Sequence, residues 1–275
     1  MKRAAGFCLA LLWACNTDPS GPHLARGNVL VNNGKREEAA AEYREAARLA
    51  PRSAVARERL GDTLYDLGRK DEALQAYRDA SQVDPGSVTA RIGAARVLGD
   101  RGDYAAARAE LTAALEKAPS NLFVLLSRGN YAAKAGDRDA AIADYTRAVN
   151  LKSDSVPALY QLGMALVDNG DAQGAARTFD RLVQVAPSAP GGHYGRARLA
   201  AARGDSDKAA EELASAAKLV PADARARLAE QGLKGDALDH AAADAAERTL
   251  RQMRSDPAFA RLAGDPQFRR LAGWP

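Results

Sequence analysis

Three histidines, His23, His193 and His240, and two Asp-x-Asp pairs, Asp137-x-Asp139 and Asp205-x-Asp207, carry the side chains that could transfer protons or hold a cation. Their spacing argues against both. His23 and His193 lie 170 residues apart, at equivalent places in a periodic chain, so they read as packing residues and not as a shared metal site. Both aspartate pairs directly follow a glycine at the start of a helix, where capping and the helix dipole account for them. There is no G-x-S-x-G, no glycine-rich phosphate loop and no H-E-x-x-H. The expectation is a chain with no catalytic residue, no metal, no cofactor and no small-molecule substrate.

The elements that carry these residues repeat every 34 positions. Gly34, Gly68, Gly102, Gly136, Gly170 and Gly204 are in step with Ala39, Ala73, Ala107, Ala141, Ala175 and Ala209. Pro51, Pro85, Pro119, Pro187 and Pro221 keep the same register, with Ser153 in the one gap. Such a period signals stacked helical hairpins. Each glycine supplies a left-handed turn between two helices, a conformation that costs other residues roughly 1–2 kcal/mol. Asp103, Asp137, Asp171 and Asp205 suit the N-cap of the next helix, while Lys35 and Arg69 leave the first two starts weaker. Four residues after each alanine comes a large one, Tyr43, Tyr77, Leu111, Tyr145, Phe179 or Leu213, one turn along the same face. Gly27, Gly61, Ala95, Gly129, Gly163 and Ala197 are small enough to bring the two helices close, and the prolines stop the second helix. Gly191 and Gly192 weaken the start of the last leading helix and mark a hinge.

Leu60-Gly61-x2-Leu64…Ala73-x3-Tyr77…Pro85 and Leu162-Gly163-x2-Leu166…Ala175-x3-Phe179…Pro187 resemble the tetratricopeptide repeat (TPR). The resemblance covers residues 20–223 as six repeats, 20–53, 54–87, 88–121, 122–155, 156–189 and 190–223. His23, Arg57, Arg91, Leu125, Leu159 and His193 stand where the family often has tryptophan. It implies an all-α fold, a right-handed superhelical solenoid of six hairpins with C-terminal capping helices.

Residues 1–14 have the layout of an export signal. Lys2 and Arg3 precede an apolar run from Ala4 to Ala14 that is too short to span a bilayer. Leu12-Trp13-Ala14-Cys15 resembles a bacterial lipobox, which implies that Cys15 is lipidated and becomes the mature N-terminus. Residues 15–19 then form a linker with a reach of at most roughly 17 Å, and Cys8 is removed, so no thiol chemistry remains. Asn16 is not the aspartate that commonly retains lipoproteins in the inner membrane, which favours the periplasmic face of the outer membrane. Losing Lys2 and Arg3 takes the net charge from +4 to +2, and acids alternate with bases along every repeat. A nucleic-acid partner is not expected.

After residue 223 the period breaks. In residues 224–275, Ala224 to Gln231 reads as a short helix and Asp236 to Arg254 as a longer one. A tandem nonapeptide comes next, with Asp256-Pro257-x-Phe259 matched by Asp265-Pro266-x-Phe268. Each aspartate reads as an N-cap before a proline in the first helical position. The tail is either a pair of short capping helices or a partner-binding segment.

The family resemblance also implies which residues face the concave groove. They are Leu24, Asn28 and Val31; Glu58, Asp62 and Tyr65; Ile92 and Arg96; Leu126 and Asn130; Tyr160, Met164 and Val167; Tyr194 and Arg198. Leu126 and Val167 suit packing between hairpins. The far half is apolar and carries tyrosines, the residue types of interface cores, so a peptide or helix of a protein partner is expected there. Leu24, Glu58 and Ile92 occupy places where carboxylate-clamping relatives carry a basic residue, which disfavours a receptor for chaperone tails. The expected function is a non-catalytic adaptor or assembly factor at the bacterial envelope. Lipoproteins with six such repeats resemble the pilotins that help secretins of type IV pilus systems assemble. A scaffold for cell-wall hydrolases or proteases, or the repeat subunit of an enzyme complex, are the alternatives.

Overall fold

The computed structural model describes residues 18–274. The expected export signal and Cys15 therefore lie outside the described residues. Two compact units divide the chain, one ending at Ala118 and the other beginning at Pro119. Among the described residues there are fourteen α-helices, one 3₁₀ turn and no strand.

The first unit holds three hairpins: α1 (Gly21–Asn32) with α2 (Arg36–Leu49), α3 (Ala54–Asp66) with α4 (Lys70–Val83), and α5 (Val88–Asp100) with α6 (Tyr104–Lys117). In the second unit α7 (Leu122–Lys134) pairs with α8 (Arg138–Leu151), α9 (Val156–Asp168) with α10 (Ala172–Val185), and α11 (Pro190–Ala202) with α12 (Ser206–Glu230). The extension adds α13 (Gly235–Arg254), the 3₁₀ turn Pro257–Phe259 and α14 (Pro266–Ala272).

Each hairpin turns through a left-handed glycine, φ +75° at Gly34 to +82° at Gly170. The turn is closed by a six-to-one backbone bond, such as Asp137 N–H to the Ala132 carbonyl at 2.9 Å. Asp103, Asp137, Asp171 and Asp205 accept the backbone N–H three residues on, and Lys35 and Arg69 give no side-chain cap.

The periodic small and large residues meet inside the hairpins. Tyr77 is fully buried, and its ring fills the space over two glycines. A Cβ on Gly61 would come within 2.7 Å of that ring, and one on Gly93, in the next hairpin, within 2.3 Å. Where alanine replaces the first glycine, as at Ala95 and Ala197, the partner is the smaller Leu111 or Leu213, so volumes are matched pair by pair. Gly191 and Gly192 have a packing role and are not a hinge. Both lie inside α11, and a Cβ on Gly192 would sit 2.6 Å from Val183.

In three of the six hairpins a polar pair occupies the family's tryptophan place. His23 meets Glu42 at 2.7 Å, Arg91 meets Glu110 at 3.2 Å, and His193 meets the buried Glu212 at 2.7 Å, each pair bridging the two helices of its hairpin. Asp137 and Asp205 act as caps, and no group of three metal-ligating side chains occurs among the described residues.

One boundary departs from expectation. Pro221 does not end its helix: α12 continues to Glu230, so Ala224 to Gln231 is not a separate helix and no break falls at residue 223. Gly86-Ser87, Ser120-Asn121 and Ser188 come after the earlier prolines, but Ala222-Asp223-Ala224-Arg225 comes after this one, and these residues include good helix formers. Ala224 is buried in the cluster beneath the extension. That burial offsets the one hydrogen bond that proline cannot make.

The extension covers the sixth hairpin. Phe259 and Phe268 are fully buried against α11 and α12, stacked on each other at 6.2 Å, with Trp274 edge-on to Phe268 at 5.2 Å. Asp256 and Asp265 cap as expected, although the first nonapeptide forms a 3₁₀ turn and only the second an α-helix.

Burial raises the phenol pKa of Tyr43, Tyr77, Tyr145, Tyr160 and Tyr194, with Tyr145 pushed up to about 12. Tyr65 is raised chiefly by its hydrogen bond to Asp100. The fold holds these phenols neutral past the ordinary value of about 10. Their contribution to stability is therefore intact below pH ~10 and is lost as pH rises through the folded values. Phenolate absorbance should lag in the native protein and jump with loss of helicity in strong alkali. Complete phenol titration near pH 10 with helicity retained would contradict this burial.

Candidate protein-binding groove

In the first unit the expected groove residues satisfy one another. Tyr43 donates to Asn28 at 2.8 Å and Tyr77 to Asp62 at 2.7 Å. Arg96 donates to the Tyr77 hydroxyl at 2.9 Å, pairs with Asp62 at 3.3 Å and lies 3.9 Å over the Tyr65 ring. Tyr65 in turn donates to Asp100 at 2.7 Å, and Ser87 donates to Glu58. Leu24 and Ile92 are half-buried beside this network. The result is a polar face whose hydrogen-bonding groups are largely engaged with one another.

The second unit differs. Asn130 accepts from Tyr145 at 2.6 Å, repeating the polar pattern on α7. On α9 and α11, however, Tyr160, Met164, Tyr194 and Arg198 line one cavity of about 700 Å³. Residues 160 and 164 are one turn apart on α9, and 194 and 198 one turn apart on α11, so both helices turn the same face to it. Val156, Leu182 and Pro190 extend the apolar lining, and Gly191 lets the Tyr160 ring approach α11 closely. Among the described residues the Tyr160 hydroxyl makes no hydrogen bond; burial is the main cause of its raised pKa.

The opposite wall comes from the extension, and the repeat pattern does not signal it. Thr249, Gln252 and Met253 of α13, with Ser255 to Pro257, face α9 and α11 across the cavity, and Asp223 and Arg227 of α12 close one side. Asp256 joins the two walls. Its Oδ1 accepts the Ala258 N–H at 2.8 Å as the cap, while Oδ2 accepts from the Tyr194 hydroxyl and lies 3.5 Å from Arg198 Nε. Arg198 also pairs with Asp168 at 3.4 Å and points Nη1 at the Met164 sulfur, 3.9 Å away. The Tyr194 phenol is raised by burial and by the Asp256 carboxylate, and its ring meets Phe259 edge-on at 6.1 Å. An aspartate signalled only as a cap thus also completes the groove.

This arrangement offers shape, apolar area and a few oriented polar groups. It suits binding of a side-chain-bearing segment. Among the described residues no helix is long and apolar enough to cross a membrane.

Comparison with curated proteins gives no match. Among solved structures the chain is similar to YrrB, a TPR protein with an unusual peptide-binding site, at 24% identity and TM-score 0.56 over 70% of this chain and 98% of that one. It is also similar to PilW, a widely conserved type IV pilus biogenesis factor, at 19% identity and TM-score 0.59, covering 80% and 97%. A tetratricopeptide repeat protein of Parabacteroides merdae ATCC 43184 aligns at 17% identity and TM-score 0.63, covering 92% and 97%. One tetratricopeptide-repeat family model matches residues 24–88 and 160–224, and a second matches 71–123. With the glycine turns and paired helices in the same register, the chain belongs to the tetratricopeptide repeat family.

Proposed function

We propose that this protein is a non-catalytic adaptor or assembly factor of the bacterial cell envelope, binding a helix or peptide of a partner protein between α9, α11 and the C-terminal extension. The cavity of about 700 Å³ carries this reading. It has the size and apolar lining of a binding site, with Tyr160, Met164, Tyr194 and Arg198 supplying residue types enriched where interfaces gain their affinity. A pilotin-like role, delivering or assembling a secretin of a type IV pilus system at the outer membrane, draws support from the likeness to PilW and from the lipobox-like Leu12-Trp13-Ala14-Cys15. Both arguments are by analogy of fold and motif.

Affinity purification from detergent-solubilised membranes tests the reading. Recovery of a secretin or pilus-assembly subunit supports it, and recovery of a cell-wall hydrolase shifts it toward a scaffold. If the wild-type bait retains nothing that a Tyr160→Ala/Met164→Glu bait does not, the groove is not the binding site. Cys15→Ala should abolish incorporation of labelled fatty acid and release the protein from membranes or leave its signal uncleaved. Unchanged labelling would overturn the anchor.

A further inference from the structure

We propose that the α9–α11 cavity selects an uncharged apolar segment, the apolar face of a partner's amphipathic helix, and that Asp256 sets this preference by neutralising Arg198. The inference rests on the groove reading above and adds the chemistry of the partner and the residue that determines it.

Both cations that line the cavity already have carboxylates of their own. Arg198 has Asp256 at 3.5 Å and Asp168 at 3.4 Å, and Arg227 has Asp223 at 2.9 Å. An acidic side chain entering from a partner would shed its water and meet no unneutralised positive charge, which is unfavourable in a partly dry site. A partner lysine would compete for carboxylates already engaged. What stays open to a newcomer is the half-buried Tyr160 ring and Met164, with the buried Leu182 and Met253 behind them in the lining. Met164 and Met253 are both in the lining, and thioether side chains adapt to leucine, isoleucine or phenylalanine alike. The volume exceeds a single side chain and accommodates the i and i+3 or i+4 anchors of one helix. Tyr194 is held toward the extension by Asp256 and Phe259, so it shapes the cavity end and takes no part in reading charge.

Asp256→Asn isolates the effect. Asparagine caps as well as aspartate: with its oxygen kept on the Ala258 N–H, its amide NH2 takes the Oδ2 place and donates to the Tyr194 oxygen, so the variant removes one charge and reverses one hydrogen bond. Peptides are selected from a random displayed library on immobilised wild-type protein, then titrated against both proteins by fluorescence anisotropy. Selected peptides should carry apolar residues at i and i+3 or i+4 with no acid between them. Placing glutamate at one anchor should weaken wild-type binding at least tenfold; Asp256→Asn should reduce that penalty, and Asp168→Asn/Asp256→Asn, which takes both carboxylates from Arg198, should cut it to threefold or less. Asp168→Asn, outside the extension, should lower the penalty in the same direction, and it decides the matter if Asp256→Asn loosens the cap, seen as a lower Tm. The proposal is overturned if wild type selects peptides that need an acidic anchor, or if the glutamate penalty is the same in the intact variants. Peptides that bind Tyr160→Ala/Met164→Glu as tightly as wild type overturn the groove reading itself, as does a library that yields none. Peptides lost by that double variant but requiring an acid leave the groove reading standing and sink only the charge preference.

Discussion

Phe179→Ala is expected to destabilise the second unit by about 3–5 kcal/mol, toward the upper end of that range. The ring is fully buried, and its faces lie against glycines: a Cβ on Gly163 would come within 2.4 Å of it, and one on Gly195 within 2.1 Å. A glycine has no side chain to move into the space left behind, so collapse around the cavity is limited to backbone shifts. A loss of that size should lower the melting temperature by at least about 6 °C. Because hairpins in a repeat array are stabilised by their nearest neighbours, the loss should fall on α9 to α12 first and can split the transition into two steps. Thermal melts monitored by circular dichroism, with amide exchange to locate the weakened helices, check this. A melt indistinguishable from wild type would mean that Phe179 does not fill the gap between the two glycines.

The hairpins were legible because their determinants are local and repeated. A glycine at a left-handed turn, an aspartate one residue on and a small residue packing one turn from a large one act within about ten positions. Six copies make the register unmistakable. The histidines could have been read further: His23 with Glu42, Arg91 with Glu110 and His193 with Glu212 share an offset of nineteen residues, although no single pair announces itself. Gly93 and Gly195 were missed because their partners, Tyr77 and Phe179, lie in the preceding hairpin, and only two of the six repeats use glycine there. Pro221 misled because the residues C-terminal to a proline decide whether the helix resumes, and here helix formers pack Ala224 into the core. The groove was half legible. Periodicity brought Tyr160, Met164, Tyr194 and Arg198 to one face, whereas the opposing wall depends on contacts such as Tyr194 with Asp256, sixty-two residues apart and outside any repeat.

The largest expected effect on binding is that of Tyr160→Ala combined with Met164→Glu. Removing an aromatic anchor commonly costs an interface 2 kcal/mol or more, and a glutamate in the same wall adds a desolvation penalty, so about thirtyfold weaker binding is a floor. Both side chains are half-buried at the cavity and neither belongs to the fully buried core, so helicity should be kept. Arg177→Glu, exposed on α10 away from the cavity, is the matched control.

The claim that this cavity is where the protein meets its partner is tested most directly by titrating the partner recovered from membranes against these three proteins. Wild type and Arg177→Glu should bind alike, while the double variant, folded by circular dichroism, should bind at least about thirtyfold more weakly. Equal affinity of the double variant and wild type would contradict the account and move the binding surface off the α9–α11 groove.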